Sequence, residues 1–483
     1  MQENEKRFEQ DIETFLISSE GGYIKGNPYD FDRECALNKK DLFKFLEESQ
    51  EKEWNRYRDA FPYDYERNFI KRFNEEVDLR GIIDVIRNGI TDRGYKFKLA
   101  YFRPETTLSQ EGWNLYNKNI LNETRQLKYS TQNENSIDIV LLLNGIPLIA
   151  LELKNQITGQ DSSNAQKQFM YDRDPRELIF RFKHRVIAYF AVDHYDVKYT
   201  TKLAGKDTYY LPFNQGSNGA GNVGGEGNPT NENGYTTDYL WKKVLNKDSL
   251  MEILQKFVHL QVKEEVSHRG GKEVVKRKEN IIFPRYHQLD VVRKLITDVR
   301  NNGIGKNYLI QHSAGSGKSN SIAWLAHRLS GLHNNLDEAV FNSIIVVTDR
   351  KVLDKQLQDT IYQFEHQKGV VVKIDDEKTS QDLKDAINDG KRIIITTLQK
   401  FPVIYKDVDD MGHKKFAVIV DEAHSSQTGN SAKKLKIALA DKEDALKKYA
   451  EIEAREEENT KDYEDKLVEE LASHGHQKNI SFF

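Results

Sequence analysis

Asp138, Glu152 and Lys154 stand in an otherwise apolar stretch, SIDIVLLLNGIPLIALELKN. Glu152 and Lys154 are two residues apart, so on a strand both face the same side. Asn144-Gly145 is a strong hairpin signal, and Pro147 favours a short loop. Folding the chain there brings Asp138 opposite Leu151 to Leu153, beside Glu152, with the register left open. Two carboxylates are hard oxygen ligands suited to Mg²⁺. A metal so held would polarise a phosphodiester and lower the pKa of a bound water. The ammonium of Lys154 would orient that water or offset charge on the phosphorane. The plain alternative is an ion pair between Glu152 and Lys154 on an edge strand. The surrounding residues are too apolar for a solvent face, and buried carboxylates without a partner are costly.

A second group of residues handles a different phosphate. In HSAGSGKSNSIAWLAHRL, Gly315, Ser316 and Gly317 form a turn that lets backbone N–H groups approach phosphate oxygens. Lys318 then reaches the β- and γ-phosphates of a nucleotide, and Ser319 ligates its Mg²⁺. The helix that opens there adds favourable partial charge. Further on, FAVIVDEAH ends an apolar run at Val420. Asp421 therefore emerges at a strand's C-terminal edge, where α/β sheets bind ligands. Asp421 would hold the Mg²⁺ shell, Glu422 would serve as general base for the attacking water, and His424 would couple nucleotide state to the rest of the domain.

These residues need two different scaffolds. The 483 residues exceed one compact core, and 38% hydrophobic with 31% charged residues suits a globular protein. A net charge of −4 does not advertise nucleic acid, so any basic surface is local. The single cysteine, Cys35, excludes a disulfide framework and fits a reducing compartment. No apolar run would span a bilayer and the N-terminus lacks a signal-peptide core, so the expected location is cytoplasmic, with no membrane partner.

Residues 1 to about 130 read as helix-rich, with Phe8, Ile12, Phe15 and Leu16 at helical spacing. From Ser136 the period becomes strand-like. NQGSNGAGNVGGEGNPTNENG cannot build a core and reads as a loop. SHRGGKEVVKRKEN marks a boundary. Beyond it, NYLIQ, SIIVVT, RIIITT and FAVIV alternate with helical patterns, which predicts a parallel sheet buried on both faces. After Lys433 the chain reads as charged helix through about Ala472, and there is no repeat at a fixed period. The reading is α/β throughout: a mixed-sheet domain over 1–260 with its core about 130–200, a charged linker over 261–282, and a parallel-sheet P-loop domain over 283–483.

Asp138 with Glu152-x-Lys154 resembles the PD-(D/E)xK nuclease signature. NAQKQFMYDRDP resembles the Gln-x-x-x-Tyr element of its RecB-like branch, with Gln168 as the glutamine and Tyr171 as the tyrosine, although Tyr171 follows Gln168 by three and not four. The downstream pair resembles the first RecA-like domain of a superfamily 2 motor. His312 stands where the strict loop has glycine. By that resemblance Gln288 of FPRYHQ reads adenine, and Asp349, Arg350, Thr396, Thr397 and Gln399 of VVTDRKVLDKQ and ITTLQKF contact DNA.

A RecB-like nuclease ahead of such a motor is similar to the R subunit of type I restriction enzymes. The resemblance implies an ATP-dependent, Mg²⁺-dependent deoxyribonuclease of a phage-defence system. It would pump double-stranded DNA and cut unmodified duplex away from the recognition site. It also implies methyltransferase (M) and specificity (S) partner subunits, with S-adenosylmethionine bound by the methyltransferase. The alternatives are a DNA repair helicase-nuclease and a truncated, non-catalytic DNA-binding remnant. No Ser/Thr-Ala-Thr triplet follows His424, and Arg455 is the only arginine after Asp421. The expectation is therefore a chain that stops before a second motor domain and is deficient alone in ATP hydrolysis and translocation.

Overall fold

The computed structural model describes residues 2–105, 108–155, 159–269, 272–313, 315–348, 351–364, 369–373, 380–397, 414–421 and 479–483. The chain divides into two compact units, Met1–His287 and Gln288–Phe483. The first contains α1 (Gln2–Leu16), β1 (Ile24–Lys25), α2 (Lys39–Ser49), α3 (Glu51–Ala60), α4 (Tyr65–Arg80), α5 (Ile82–Asn88), β2 (Ile90–Asp92), β3 (Tyr95–Phe97) and α6 (Gln110–Asn117). It continues through β4 (Leu121–Lys128), β5 (Ser136–Leu143), β6 (Ile146–Leu153), α7 (Ser162–Tyr171), β7 (Ala188–Val192), β8 (Val197–Thr200), β9 (Leu211–Pro212), α8 (Lys247–Lys256), β10 (His259–Arg269) and β11 (Lys272–Ile282).

Seven strands form one mixed sheet in the order β1-β4-β5-β6-β7-β8-β9. The neighbours β4, β5 and β6 are antiparallel, whereas β6 and β7 are parallel. That parallel step needs a crossover, and α7 supplies it. Every residue of β6 is buried, as its unbroken apolar run demands. The β5–β6 turn falls at Asn144 and Gly145, with φ of 49° and 80°, the left-handed pair of a type I′ turn. Asn144 is fully buried because its side chain also accepts from Ile120 N–H at 2.7 Å and donates to the Leu99 carbonyl at 2.8 Å. The ladder runs Leu143↔Ile146 and Leu142↔Pro147, then shifts to Leu141↔Ile149. Leu148 is the extra residue of a bulge, which accommodates a proline without an N–H.

The helices precede the sheet for local reasons. Asn38 caps α2 by accepting from Asp41 N–H, and Leu42, Phe45 and Leu46 form its buried stripe. Gly81, at φ 81°, separates α4 from α5. Trp54, Phe69 and Phe97 meet edge to face between α3, α4 and β3, at 5.4 to 5.7 Å. The Gly/Asn-rich stretch is a loop, cross-tied by Gly216 N–H to the Gly227 carbonyl at 2.8 Å and Ser217 N–H to the Gly225 carbonyl at 2.9 Å.

One expectation differs here. The stretch expected to be a charged linker forms the antiparallel ribbon β10–β11 and belongs to the first unit. Its strands alternate Val262, Val266 and Val275 with charges, and its pairing closes at Arg269 and Lys272, either side of Gly270-Gly271 in the sequence. The density of charge hid a period of two.

The second unit begins within α9 (Tyr286–Asn302) and contains α10 (Lys318–Ser330), β12 (Ser343–Thr348), α11 (Lys351–Gln363), β13 (Val371–Lys373), α12 (Ser380–Asn388), β14 (Ile393–Thr397), β15 (Phe416–Val420) and β16 (Ile480–Phe482). Its five strands are all parallel, in the order β13-β14-β12-β15-β16. The runs SIIVVT, IIITT and FAVIV are β12, β14 and β15 as expected. NYLIQ is not a strand: Asn307 makes one bridge to Phe482, and Leu309 is 91% exposed. With two apolar residues in five, it lacks the unbroken β-branched run that buries its neighbours. The expected helix after Lys433 lies outside the described residues.

Candidate active sites

The hairpin brings the three upstream residues together. Ile139 pairs with Leu151, so the next rung sets Asp138 opposite Glu152. Asp138 Oδ2 accepts from Leu153 N–H at 2.7 Å, which anchors its carboxylate to β6 beyond the last paired rung. Lys154, a residue 9% exposed, donates its backbone N–H to the Val192 carbonyl at 2.9 Å and its ammonium to the Leu153 carbonyl at 3.1 Å.

Glu152 has no exposed surface. Its Oε1 accepts from Arg173 Nη2 at 2.5 Å and Nε at 3.1 Å. Arg173 also donates to the Ser136 carbonyl at 2.7 Å and to the Tyr129 hydroxyl at 3.2 Å. Burial first, and Asp138's charge second, push the Glu152 carboxyl well above the usual carboxylate range, while Arg173 and Lys154 oppose them. Burial disfavours the charged form of Arg173 too, but Glu152 holds its pKa above the ordinary value. A neutral Glu152 would strand that guanidinium, so the pair is best read as an ion pair opposed by Asp138.

Glu152 Oε2 is buried with no hydrogen-bond partner. An orphaned carboxylate oxygen beside a second carboxylate fits a cation. Among the described residues no three His, Cys, Asp or Glu side chains are grouped to hold a metal. Asp138 and Glu152 would then leave most of the coordination shell to water and phosphate oxygens, which suits Mg²⁺.

Three residues that the sequence reading missed complete the surroundings. Glu9 on α1 is 4% exposed and accepts from Arg125 Nη2 at 3.0 Å. Gln126 Nε2 donates to Glu9 Oε1 at 3.0 Å and to Asp138 Oδ1 at 3.2 Å, tying the helix to the site. Burial, then Asp138's charge, raises Glu9 to about 7. Gln126 sits at φ 48°, a left-handed kink within β4. Glu9 lies between Phe8 and Ile12 on the helix's buried stripe, the one hint the sequence offered. The third is Arg173, just beyond α7. The start of α7 is fixed by the Asp161–Asn164 capping box and by Asp193 Oδ2, which accepts from Ser162 N–H at 2.8 Å. Gln168 is half-buried and Tyr171 is 67% exposed, and neither side chain hydrogen-bonds to Asp138, Glu152 or Lys154. The helix therefore serves the site through Arg173.

In the second unit, Gly315 and Gly317 have φ of 75° and 84°, and Gly317 caps α10. Gln288 is 3% exposed, and its amide donates to the carbonyls of Ser316 at 3.1 Å and Gly317 at 3.0 Å. It props the loop from beneath. A Cβ on Gly317 would lie 2.5 Å from Gln288 Nε2. Lys318 Nζ lies 3.4 Å from Asp421 Oδ1, so the loop lysine and the carboxylate ending β15 face one another. Ser319 is half-buried on the first turn of α10. Thr396 is fully buried on β14. Asp349, Arg350, Gln399, Glu422 and His424, and the side chain of Thr397, lie outside the described residues.

Residues 2–208 match the family described as type I restriction enzyme R protein N terminus, and residues 287–445 match SWI2/SNF2 ATPase. The chain joins an R protein N-terminal region to a motor domain. The R protein region covers α1 through β8 and so contains Glu9, Asp138, Glu152, Lys154 and Arg173. The motor match contains Gln288, Lys318 and Asp421. The chain is 26% identical over 80% of its length to an endonuclease subunit ascribed to the type I restriction enzyme MjaVIIIP of Methanocaldococcus jannaschii, covering 36% of that protein. It is 25% identical over 64% of its length to the type I restriction enzyme SsaAORF53P endonuclease subunit of Staphylococcus saprophyticus, covering 29% of it. The chain thus spans about a third of the length of these curated relatives. The UvsW helicase of bacteriophage T4 aligns with 33% of the chain and 50% of its own, at 19% identity and a TM-score of 0.24. Among the described residues no helix is long and apolar enough to cross a membrane.

Proposed function

We propose that the chain carries the DNA-cutting domain and the first motor lobe of a type I restriction subunit. On this reading ATP-driven movement of double-stranded DNA leads to cleavage of unmodified duplex away from the recognition site. The observation that carries the nuclease half is the convergence of Asp138 and Glu152 across one rung, with Glu152 Oε2 buried and unsatisfied. Methyltransferase and specificity subunits would be the partners, with S-adenosylmethionine bound by the former.

Each residue's part follows from its position. Asp138 and the free oxygen of Glu152 would hold the Mg²⁺, with Arg173 fixing the other oxygen so that the free one points inward. A bound Mg²⁺ supplies positive charge at the scissile phosphate and acidifies a water. Lys154, held against the Leu153 carbonyl, orients the attacking water and offsets phosphorane charge. Glu9, through Gln126, sets the orientation of Asp138. In the motor, Lys318 and Ser319 would receive the phosphates and Mg²⁺ of ATP. Asp421 would exchange its Lys318 contact for the metal's water shell, and Glu422 would take the proton of the attacking water. His424 would relay nucleotide state, and Asp349, Arg350, Thr397 and Gln399 would meet the DNA backbone; Thr396, expected among them, is fully buried on β14 and is out of reach of DNA.

The test is cleavage of unmodified circular DNA with Mg²⁺ and ATP by a full-length subunit containing this chain, assembled with its partners. The expected result is cutting by the wild type and none by Asp138→Ala. Cutting by Asp138→Ala at the wild-type rate sinks the assignment. Co-purification with methyltransferase and specificity subunits separates this reading from a repair helicase-nuclease.

A further inference from the structure

The ribbon β10–β11 is a two-stranded sheet of its own, eleven residues on each strand. At about 3.4 Å per residue it is about 35 Å long, close to one turn of B-form duplex. Its root is fixed to the nuclease sheet. Thr201 Oγ1 donates to the Ile281 carbonyl at 2.8 Å, Tyr199 on β8 donates to the Phe283 carbonyl at 3.0 Å, and Lys183 pairs with Glu279 at 2.8 Å.

The two faces differ. On one, Arg277 lies opposite Glu264 and 3.7 Å from Glu279, so charge is balanced locally. On the other, Lys263 lies directly opposite Lys278, and Lys276 is two residues along the same strand. All three lysines are exposed, and none makes an ion pair with a described residue. In the register Lys276 lies opposite Glu265, so the like-charged rung is Lys263–Lys278 alone. Exposed lysines also guard a sheet edge against pairing with another chain, but that role does not call for two of them on one rung. Like charges directly across a ladder oppose pairing, so the Lys263–Lys278 rung suits an anion outside the chain, with exposed Lys276 beside it.

We infer that the Lys263–Lys276–Lys278 face of the ribbon grips the backbone phosphates of duplex DNA and holds it against the nuclease unit. The inference rests on the reading of duplex DNA as the substrate. The grip is sequence-independent, because a row of ammonium groups reads charge and not base edges.

The experiment is fluorescence anisotropy of a labelled duplex of arbitrary sequence over a salt series, without ATP. It compares the wild-type chain, the triple variant Lys263→Ala, Lys276→Ala, Lys278→Ala, and Arg277→Ala from the opposite face. Circular dichroism melts confirm that each is folded. The triple variant is expected to bind more weakly, with the slope of log K against log salt reduced by roughly 2 to 3, at about 0.9 per lost phosphate contact. Arg277→Ala should leave both unchanged. Wild-type affinity and slope in the triple variant overturn the inference, as does an equal loss in Arg277→Ala or no duplex binding by the wild type. If the triple variant keeps duplex binding but loses binding to poly-glutamate, the face docks an acidic polypeptide and the inference falls. Mg²⁺-dependent cleavage by the assembled triple variant judges the nuclease reading separately.

Discussion

Arg173 Nη2 lies 2.5 Å from Glu152 Oε1, and the two side chains are 3% and 0% exposed. A buried pair of this kind is weak evidence for net stability, yet breaking it strands a charge. Arg173→Ala is expected to destabilise the first unit by about 3–5 kcal/mol, measured as the shift of its calorimetric transition. The double variant Arg173→Met, Glu152→Leu should recover most of that loss and still not cut DNA. A single variant as stable as the wild type would show that the pair is not closed to water.

Glu123 predicts a pH dependence. It is fully buried on β4, both carboxylate oxygens lack a partner, and burial with Glu13's charge raises it from 4.5 to about 8. The folded value exceeds the unfolded one, so between those limits the native chain binds the extra proton. Stability falls as pH rises through that window and levels off above it. Glu123→Gln should therefore raise the melting temperature progressively more from pH 5 to pH 8. A shift independent of pH would mean that Glu123 is ionised throughout.

Gln288 separates two roles by nucleotide choice. Its two hydrogen bonds to the carbonyls of Ser316 and Gly317 hold the phosphate loop. At about 1 kcal/mol each, their loss in Gln288→Ala should weaken nucleotide binding by roughly tenfold or more. If Gln288 acts through the loop, fluorescent ATP and GTP analogues lose affinity alike. A loss confined to the adenine nucleotide would favour the direct reading of the base expected from the sequence. Gly317→Ala should be worse, because a left-handed residue with a Cβ costs about 1–2 kcal/mol before any contact with Gln288.

Lys318 and Asp138 should fail differently. In the full-length subunit assembled with its partners, Lys318→Ala is expected to abolish both ATP hydrolysis and cutting. Asp138→Ala should abolish cutting and spare hydrolysis. Phosphate release and plasmid cleavage, measured on the same preparations, decide it. Wild-type cleavage by Lys318→Ala contradicts the dependence of cutting on movement.

The sequence exposed what is local and hid what is distant. Asp138, Glu152 and Lys154 were legible because a turn dipeptide and a period of two lie within one short stretch. Lys318 and Asp421 were legible because each motif carries its own strand edge or helix start. Glu9 and Arg173 reach the same carboxylates from another helix and from beyond a crossover, where no spacing rule operates. Gln168 and Tyr171 were placed by resemblance, and the helix turns Tyr171 outward. The ribbon was read as a linker because its charge masked its alternation.

The bulge at Leu148 sets the phase of the hairpin. Counted from the turn, Leu143↔Ile146 and Leu142↔Pro147 would continue to Asp138↔Leu151, with Glu152 on the opposite face of the sheet. The one extra residue moves the count by one, and Asp138 meets Glu152 instead. Chain length between the two acids is thus as constrained as their identity. Deleting Leu148 would keep every charged side chain and part the carboxylates across the thickness of the sheet.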